Sequence, residues 1–267
     1  MTAQPIRVIV AGALGRMGVE TVKAIAADKE LALAGLIDIR GGGESFFALT
    51  GIRGIELPVE PELETVLNNT PADVLVDFTL PQSVARNGKL ALTHRLHTVI
   101  GATGLRPQEL AELEALAEQQ ERTVAVIPNF ALGAVMMMKL AREAARYFPD
   151  VEIIELHHDQ KVDAPSGTAL LTAEMIRQGS GEVAAAPARD FEKIAGVRGG
   201  EYQDLRIHSV RLPGLVAHQE VVFGGQGETL RIRHDSYDRT SFMPGVRLTI
   251  KKVVAMKGLI YGLDKLL

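Results

Sequence analysis

The chain opens with a short β-branched run, a glycine-rich turn and a helix, in that order. Residues Ile6–Val10 predict a strand, and Arg16–Asp28 predict a helix. Gly12 and Gly15 lie between the strand and the helix, and Gly18 lies near the start of the helix. Together they form a G-x-x-G-x-x-G pattern. Glycines at such a junction permit a tight turn, and the helix N-terminus behind it attracts a pyrophosphate. The sequence therefore predicts an α/β domain whose first unit can hold a dinucleotide.

Strands and helices continue to alternate up to about residue 130. Further strands are predicted at Leu31–Ile37, Val74–Asp77, Thr98–Ile100 and, as the last of the series, Thr123–Ile127. Helices are predicted at Glu62–Leu67, Gln82–His94 and Arg106–Glu121. Such alternation is typical of a parallel sheet with right-handed crossovers.

The pattern changes in the second half of the chain. A helix is predicted at Ala134–Tyr147, a strand at Val151–Leu156, a loop at Gly179–Gly200, a hairpin at Val216–Phe223 and Glu228–His234, and a helical segment at Val246–Leu259. We therefore expect an α/β protein with a doubly wound parallel sheet, followed by an α+β domain with a mostly antiparallel sheet. The expected bounds are 1–130, completed by 240–267, for the first domain and 131–239 for the second.

Composition narrows the possible functions. Apolar residues make up 46% of the chain and charged residues 23%, as in ordinary globular proteins, and the net charge is −4. No global basic field is present to attract nucleic acid or an anionic membrane. The absence of cysteine excludes disulfides, thiolate metal sites and thiol nucleophiles. With no pattern of a secretory signal, a cytoplasmic protein is expected.

The position of Asp38 supports a nucleotide site. It lies about twenty residues beyond Gly18, at the end of the second predicted strand, where a carboxylate accepts hydrogen bonds from a ribose. An acidic residue there favours a free 2′-hydroxyl, whereas Arg16 and Arg40 are near enough to offset its charge. The choice between NAD and NADP therefore stays open, with use of both cofactors favoured. The alternative is a glycine-rich packing turn beside an ordinary strand-end aspartate.

A second cluster of reactive side chains spans residues 157–168, His-His-Asp-Gln-Lys-Val-Asp-Ala-Pro-Ser-Gly-Thr. Imidazole titrates near neutral pH, an ammonium pairs with carboxylate, and a helix start attracts anions. The cluster thus fits an anionic small molecule that must accept a proton. Surface histidines and a metal site are the alternatives, although adjacent histidines rarely share one ion and no HExxH spacing is present.

These motifs together resemble those of the dihydrodipicolinate reductases, also called 4-hydroxy-tetrahydrodipicolinate reductases, of lysine biosynthesis. The resemblance covers nearly the whole chain and rests on residues 10–18, Asp77-Phe78-Thr79, and the E-L-H-H-x-x-K-x-D-x-P-S-G-T pattern from Glu155 to Thr168. It implies an NAD(P)H-dependent oxidoreductase with a Rossmann-type first domain. The implied reaction is reduction of the cyclic product of pyruvate and aspartate semialdehyde to tetrahydrodipicolinate, in the diaminopimelate route.

The resemblance also implies roles for individual residues. His157 takes the acid/base position and Lys161 a second proton-donor position, while His158, Gly167 and Thr168 would bind the dicarboxylate substrate. The implied cofactor-binding residues, with Arg40 added from its place beside Asp38, are Gly12, Ala13, Leu14, Gly15, Arg16, Met17, Asp38, Arg40, Gly101, Ala102, Thr103, Ile127, Pro128, Asn129 and Phe130. No metal is implied, and the family is typically a homotetramer joined through the sheets of its second domain.

The chain departs from the family pattern at two positions. Ile39 stands where some members carry a basic residue for the 2′-phosphate of NADPH, which leaves that role to Arg16 or Arg40. Ala102 stands where threonine is common, and little effect is expected. The alternatives to this family are another two-domain nicotinamide reductase, such as a homoserine- or sugar-dehydrogenase relative, and a protein that senses NAD(H) without turnover.

Overall fold

The computed structural model of the chain describes residues 4–102, 104–180 and 191–267. The chain forms two compact units. The first comprises Met1–Phe130 together with Phe242–Leu267, and the second comprises Ala131–Ser241. The C-terminal segment thus belongs to the first unit.

The first unit is built on a seven-stranded sheet in which every pair of neighbouring strands is parallel. Its strands are β1 (Ile6–Ala11), β2 (Leu31–Ile37), β3 (Val59–Glu60), β4 (Val74–Asp77), β5 (His97–Ile100), β6 (Thr123–Val126) and β12 (Gly258–Tyr261). Their order across the sheet is β12-β6-β5-β4-β1-β2-β3, so the direction of winding reverses between β1 and β4. The predicted doubly wound parallel sheet is confirmed.

Six helices accompany this sheet. They are α1 (Arg16–Ala26), α2 (Phe46–Thr50), α3 (Leu63–Asn69), α4 (Pro81–Thr93), α5 (Pro107–Gln119) and α8 (Met243–Val253). Strands buried on both faces read as continuous apolar runs, and Val8, Ile9 and Val10 of β1 are fully buried. Helix α1 contributes Val22 and Ile25 to the same core. The strand ends that follow this core carry the polar residues of the site.

The prediction of a helical segment over Val246–Leu259 is wrong in its second part. Helix α8 ends at Val253, and Gly258 begins β12, which pairs with β6 as a further parallel strand. Gly258, five residues beyond the end of α8, has a positive φ of 79°, which its lack of a side chain permits at the first position of β12. Thr123–Val126 is therefore not the last strand of the sheet. The short elements β3 and α2 were not predicted either.

The second unit contains a five-stranded sheet in the order β11-β10-β7-β9-β8. Its strands are β7 (Asp150–His157), β8 (Gly200–Tyr202), β9 (Leu205–Arg211), β10 (Ala217–Gly225) and β11 (Glu228–Ser236), and its helices are α6 (Leu132–Ala144) and α7 (Gly167–Ser180). Three of the pairings are antiparallel, while β7 and β9 run parallel. The expected mostly antiparallel sheet is confirmed, but β8 and β9 were not predicted.

The two faces of this second sheet differ. Ile153, Ile207, Val221 and Phe223 are buried on the face where α6 and α7 lie. Because side chains alternate along a strand, Ile154 and its neighbours point to the other face, where they are partly exposed. The first face leads into the polar end of β7, where Glu155 and His157 lie.

The loop predicted at Gly179–Gly200 needs correction at its two ends. Gly179 belongs to helix α7, and Gly200 begins β8. A Cβ on Gly179 would meet the carbonyl oxygen of Arg142 at 2.1 Å, so glycine is required where α7 crosses α6. Residues 181–190 of the predicted loop lie outside the described part of the chain. In the part that is described, no helix is both long and apolar enough to cross a membrane.

Candidate active site

The glycine-rich turn joins β1 to α1 through its own backbone. The Gly12 and Ala13 N–H groups donate to the carbonyl of Ile37 at 2.8 and 3.0 Å, and Gly15 N–H donates to the Gly12 carbonyl at 2.9 Å. Gly18 lets α1 approach closely, because a Cβ there would lie 2.0 Å from the Gly12 carbonyl oxygen. Helix α1 has no side-chain cap, so its first N–H groups stay available to an anion.

Asp38 fixes the turn against the end of β2. Its buried carboxylate accepts a hydrogen bond from Leu14 N–H at 3.0 Å. The Arg40 side chain donates to both carboxylate oxygens, at 2.9 and 3.0 Å, while remaining largely exposed itself. Burial works to raise the pKa of Asp38, but the bonds from Arg40 and the backbone outweigh burial and lower it. Asp38 is therefore an ionised acceptor at the position predicted for the ribose.

A cavity of about 480 Å³ opens beside Asp38. This volume falls in the range typical of small-molecule sites. Its walls come from the glycine turn, the end of β2, helix α3 and the segment from Phe78 into α4. The lining residues are Gly12, Gly15, Ile37, Asp38, Ile39, Arg40, Pro61, Glu62, Leu63, Glu64, Phe78, Thr79, Leu80, Gln82, Ser83, Arg86, Asn87 and Leu90.

Asp77 supports one wall of this cavity through hydrogen bonds to two residues that line it. Its fully buried carboxylate accepts hydrogen bonds from the backbone and hydroxyl of Thr79, at 2.7 and 2.6 Å, and from the Asn87 amide at 2.9 Å. Burial raises the pKa of Asp77 in spite of these bonds. Asp77 therefore sets the positions of Thr79 and Asn87, which line the cavity.

The predicted cofactor residues occupy different places around this site. Four of them line the cavity, namely Gly12, Gly15, Asp38 and Arg40. Ala13 and Ile127 are fully buried, Phe130 is almost fully buried, Arg16 and Pro128 are exposed, and Leu14, Met17, Gly101, Ala102 and Asn129 are partly exposed. Thr103 lies outside the described residues.

Two of the predicted loops meet at an aromatic contact. The rings of Phe78 and Phe130 lie 5.6 Å apart, centroid to centroid, at a tilt of 58°. Gly101 packs against the Phe78 ring so closely that a Cβ would lie 2.1 Å from it. The strand ends of β4, β5 and β6 are thus held together by packing, at the carboxyl edge where ligands of parallel sheets bind.

In the second unit, His157 ends β7 and its ring contacts a buried carboxylate. Nδ1 of His157 forms a hydrogen bond with Oε2 of Glu155, two residues earlier on the same face of the strand. The side chain of His157 is 14% exposed, whereas that of Glu155 is fully buried. One ring nitrogen of His157 is therefore committed to the protein, and Nε2 is left as the nitrogen for proton exchange.

Glu155 has further partners on β9 and at the start of α7. The Arg211 guanidinium on β9 donates to both of its oxygens, at 2.7 and 2.9 Å, and Ser166 N–H donates to Oε1 at 3.2 Å. Burial opposes ionisation, but the bonds from His157, Arg211 and Ser209 lower the pKa of Glu155 to about 2. A buried carboxylate with this many donors remains charged near neutral pH.

Lys161 lies in the loop that follows β7. Its ammonium contacts both oxygens of Asp163, at 2.7 and 2.8 Å, and its side chain is 21% exposed. His158 is exposed, and its carbonyl accepts from Lys161 N–H at 3.2 Å. Among the described residues no group of histidine and acidic side chains has metal-site geometry.

The Ser-Gly-Thr stretch begins helix α7, as predicted. Ser166 caps the helix, because its hydroxyl accepts from Ala169 N–H at 3.1 Å. Gly167 is exposed to open space, and Thr168 lies in the first turn, where its carbonyl accepts from the Thr172 hydroxyl at 2.7 Å. The start of α7 is thus a capped helix N-terminus, and Ser166, the residue before it, donates its backbone N–H to Glu155.

Sequence reasoning assigned no role to Glu155 and did not single out Arg211. A signal was present for the first, because an acidic residue two positions before His157 lies on the same strand face as the buried Ile153. A buried charge needs a partner. The partner lies 56 residues further along the chain, on a strand that was not predicted.

Two family models match the chain. The model described as the dihydrodipicolinate reductase N-terminus matches residues 6–130, and the C-terminus model matches residues 133–267. A 4-hydroxy-tetrahydrodipicolinate reductase from Syntrophomonas wolfei is 58% identical over 99% of both chains. The enzyme of the same name from Listeria innocua is 47% identical over 98% of this chain and 100% of its own.

Solved structures agree with these relatives. A dipicolinate-bound dihydrodipicolinate reductase from Paenisporosarcina sp. TG-14 has a TM-score of 0.89 and 42% identity, covering 99% of this chain and 100% of its own. An amine dehydrogenase from Mycobacterium smegmatis has a TM-score of 0.69 at 15% identity, over 97% of this chain and 95% of its own. The latter likeness concerns the fold alone.

Proposed function

The chain belongs to the dihydrodipicolinate reductase family, and we propose that it reduces 4-hydroxy-tetrahydrodipicolinate to tetrahydrodipicolinate with NADPH or NADH, with His157 as the proton donor. The observation that carries the role of His157 is its contact with the buried, ionised Glu155 at the end of β7. The reaction belongs to the diaminopimelate route to lysine. A sugar dehydrogenase or a protein that senses NAD(H) without turnover would not need the proton donors and carboxylate-binding residues of the segment from His157 to Thr168.

The residues of the first unit fit a nicotinamide dinucleotide. The uncapped start of α1 suits the pyrophosphate, and the ionised Asp38 suits the hydroxyls of the adenosine ribose. The cavity beside Asp38 has the size and mixed lining of an adenosine site. When bound, the reduced cofactor supplies a hydride. The remaining predicted contacts run from Ala13 to Met17, Gly101 to Thr103 and Ile127 to Phe130.

The residues of the second unit divide the work of substrate binding and protonation. The 4-hydroxyl group leaves the ring as water, and hydride addition to the resulting unsaturated ring builds electron density that a proton must quench. A positioned acid contributes roughly 10²- to 10⁴-fold. His157 delivers this proton from Nε2, while the Lys161 ammonium acts as the second proton donor. Gly167 and Thr168 at the start of α7, together with His158, hold the substrate carboxylates.

We further propose that the enzyme is a cytoplasmic homotetramer. The tetramer is supported by the family resemblance and by the partly exposed apolar side chains of Ile154 and Leu156 on the open face of the second sheet. The cytoplasmic location follows from the reaction, which consumes reduced nicotinamide cofactor and feeds amino-acid synthesis. No nucleic acid or membrane enters this function.

Oxidation of NADH or NADPH with substrate made enzymatically from pyruvate and aspartate semialdehyde tests the proposal. Turnover with at least one cofactor is expected, and none with either would overturn it. His157→Gln should lower kcat about 10²-fold or more while leaving the Kd of NADPH unchanged, because the imidazole serves protonation. Lys161→Ala should also lower kcat, and full activity in either variant would remove that residue from the mechanism.

A further inference from the structure

We propose that Glu155 is the positioning residue of this site, which aims His157 and ties it to the N-terminus of α7 through Arg211 and Ser166. The proposal rests on the function given to His157 above. Glu155 itself is fully buried, so its effect passes through the groups it binds.

The first argument concerns the two ring nitrogens of His157. A carboxylate that accepts from Nδ1 fixes the tautomer and the orientation of an imidazole. Water cannot replace Glu155 as the partner of His157 Nδ1, because the Glu155 side chain is fully buried. In the neutral ring the proton therefore stays on Nδ1, and Nε2 is the atom that gains and loses the proton exchanged with the substrate.

The second argument concerns the other oxygen of Glu155. Oε1 accepts from Ser166 N–H, and Ser166 precedes the residues Gly167 and Thr168 that we assign to the substrate carboxylate. One carboxylate thus holds both the proton donor and the start of the anion-binding helix. A shift of either group relative to the other is opposed by bonds to the same side chain.

The third argument concerns Arg211. Its guanidinium grips Glu155 with two hydrogen bonds and also donates to the carbonyl of Asp163 at 2.7 Å. Asp163 in turn pairs with Lys161, so the loop that carries the second proton donor is attached to the same cluster. The cluster of Glu155, Arg211, His157, Ser166 and Asp163 joins β7, β9, the loop and α7.

Glu155→Gln is the direct test, because glutamine keeps the shape and removes the charge. We expect kcat to fall about 10-fold or more while the Kd of NADPH stays unchanged, because a proton donor whose ring orientation is no longer fixed protonates the substrate less efficiently. Glu155→Asp retains the charge and should recover part of the lost kcat. Wild-type kcat in Glu155→Gln would overturn the proposal, and so would a loss of kcat that Glu155→Asp does not reduce.

A second measurement does not require catalytic activity. In ¹⁵N spectra of the wild-type imidazoles, with the His157 signals assigned by His157→Gln, the neutral ring should carry its proton on Nδ1. A neutral ring protonated on Nε2 would overturn the role of Glu155 whatever the substrate of the enzyme proves to be. A failed turnover assay with the Nδ1–H tautomer present would instead contradict the proposed function alone.

Glu152→Gln provides the matched control. Glu152 lies on the same strand but on its other face, and it binds the imidazole of His208 at 2.8 Å. The same chemical change there should leave kcat and the His157 tautomer unaltered. An equal loss of kcat in this variant would show that the effect is a general one of charge and would contradict the assignment.

Discussion

At the scale of single residues, the contact between Arg40 and Asp38 bears on the choice of cofactor. Arg40 donates to both oxygens of Asp38 but remains 60% exposed, so its guanidinium can exchange this partner for a 2′-phosphate. Arg40→Ala should therefore lower kcat/KM with NADPH about 10-fold or more, while kcat/KM with NADH changes little. Steady-state kinetics with both cofactors provide the measurement.

Arg53→Ala is the control for this prediction. Arg53 is exposed in the same unit and does not line the cavity. Its removal should leave the ratio of the two kcat/KM values as in the wild type. If Arg40→Ala also leaves the ratio unchanged, Arg40 has no part in binding the phosphate.

These residues also show where sequence reasoning was sufficient. Asp38 follows its glycine turn after a fixed spacing, and one local unit of strand, turn and helix specifies both. Glu155 and Arg211 are 56 positions apart in the sequence and are brought together by the pairing register of β7 and β9. That register depends on burial of a whole strand face, which no local motif encodes.

At the scale of elements, the open face of the second sheet should form the contact between subunits. Ile154 lies on this face of β7, between Glu220 of β10 and His208 of β9 in register. An arginine there would place a bulky charged side chain in the contact that the tetramer buries. Ile154→Arg should therefore lower the solution mass from about four times 28.8 kDa, while the Kd of NADH stays unchanged.

Light scattering coupled to gel filtration gives the mass, and NADH fluorescence gives the affinity. Tyr147→Arg is the control, because Tyr147 is 72% exposed beyond the end of α6 and does not belong to the sheet. A tetramer that persists in Ile154→Arg would contradict a contact through this face. A wild-type chain that runs as a monomer would contradict the tetramer itself.

The type of an element could be predicted where the segment was long and periodic. The prediction failed where a short apolar segment was compatible with both the helical and the strand period. Within residues 246–259, Val246, Ile250 and Val253 are buried at helical spacing. Residues 254–259 do not show the alternation of polar and apolar side chains that would indicate a strand. The change to a strand at Gly258 depends on the free edge of β6, where a further parallel strand can pair. Only the assembled sheet provides that edge.

At the scale of the whole molecule, a buried histidine makes the stability depend on pH. His97 of β5 is 8% exposed, and its Nδ1 accepts from Thr123 N–H at 3.1 Å. Burial, with a smaller effect of Arg122, lowers the pKa of His97 from 6.5 to about 4. Between these two pH values the His97 imidazole is protonated in the unfolded chain but neutral in the folded chain. The free energy of unfolding therefore falls as the pH drops from 6.5 towards 4.

The low pKa of Glu155 acts in a different range. Its carboxylate stabilises the fold above the unfolded pKa of 4.5, and this contribution is lost between 4.5 and about 2. Between pH 8 and pH 5 the effect of His97 is thus separate from that of Glu155. Burial lowers the pKa of His234 as well, so only a comparison of variants isolates His97.

His97→Asn should remove this dependence, because the amide oxygen can accept from Thr123 N–H and does not titrate. The wild type should lose about 2 kcal/mol more unfolding free energy than His97→Asn between pH 8 and pH 5. Urea titrations followed by circular dichroism measure this difference. His94→Asn, at a partly exposed position three residues earlier, should behave like the wild type. Equal losses in all three proteins would mean that His97 does not resist protonation in the folded state.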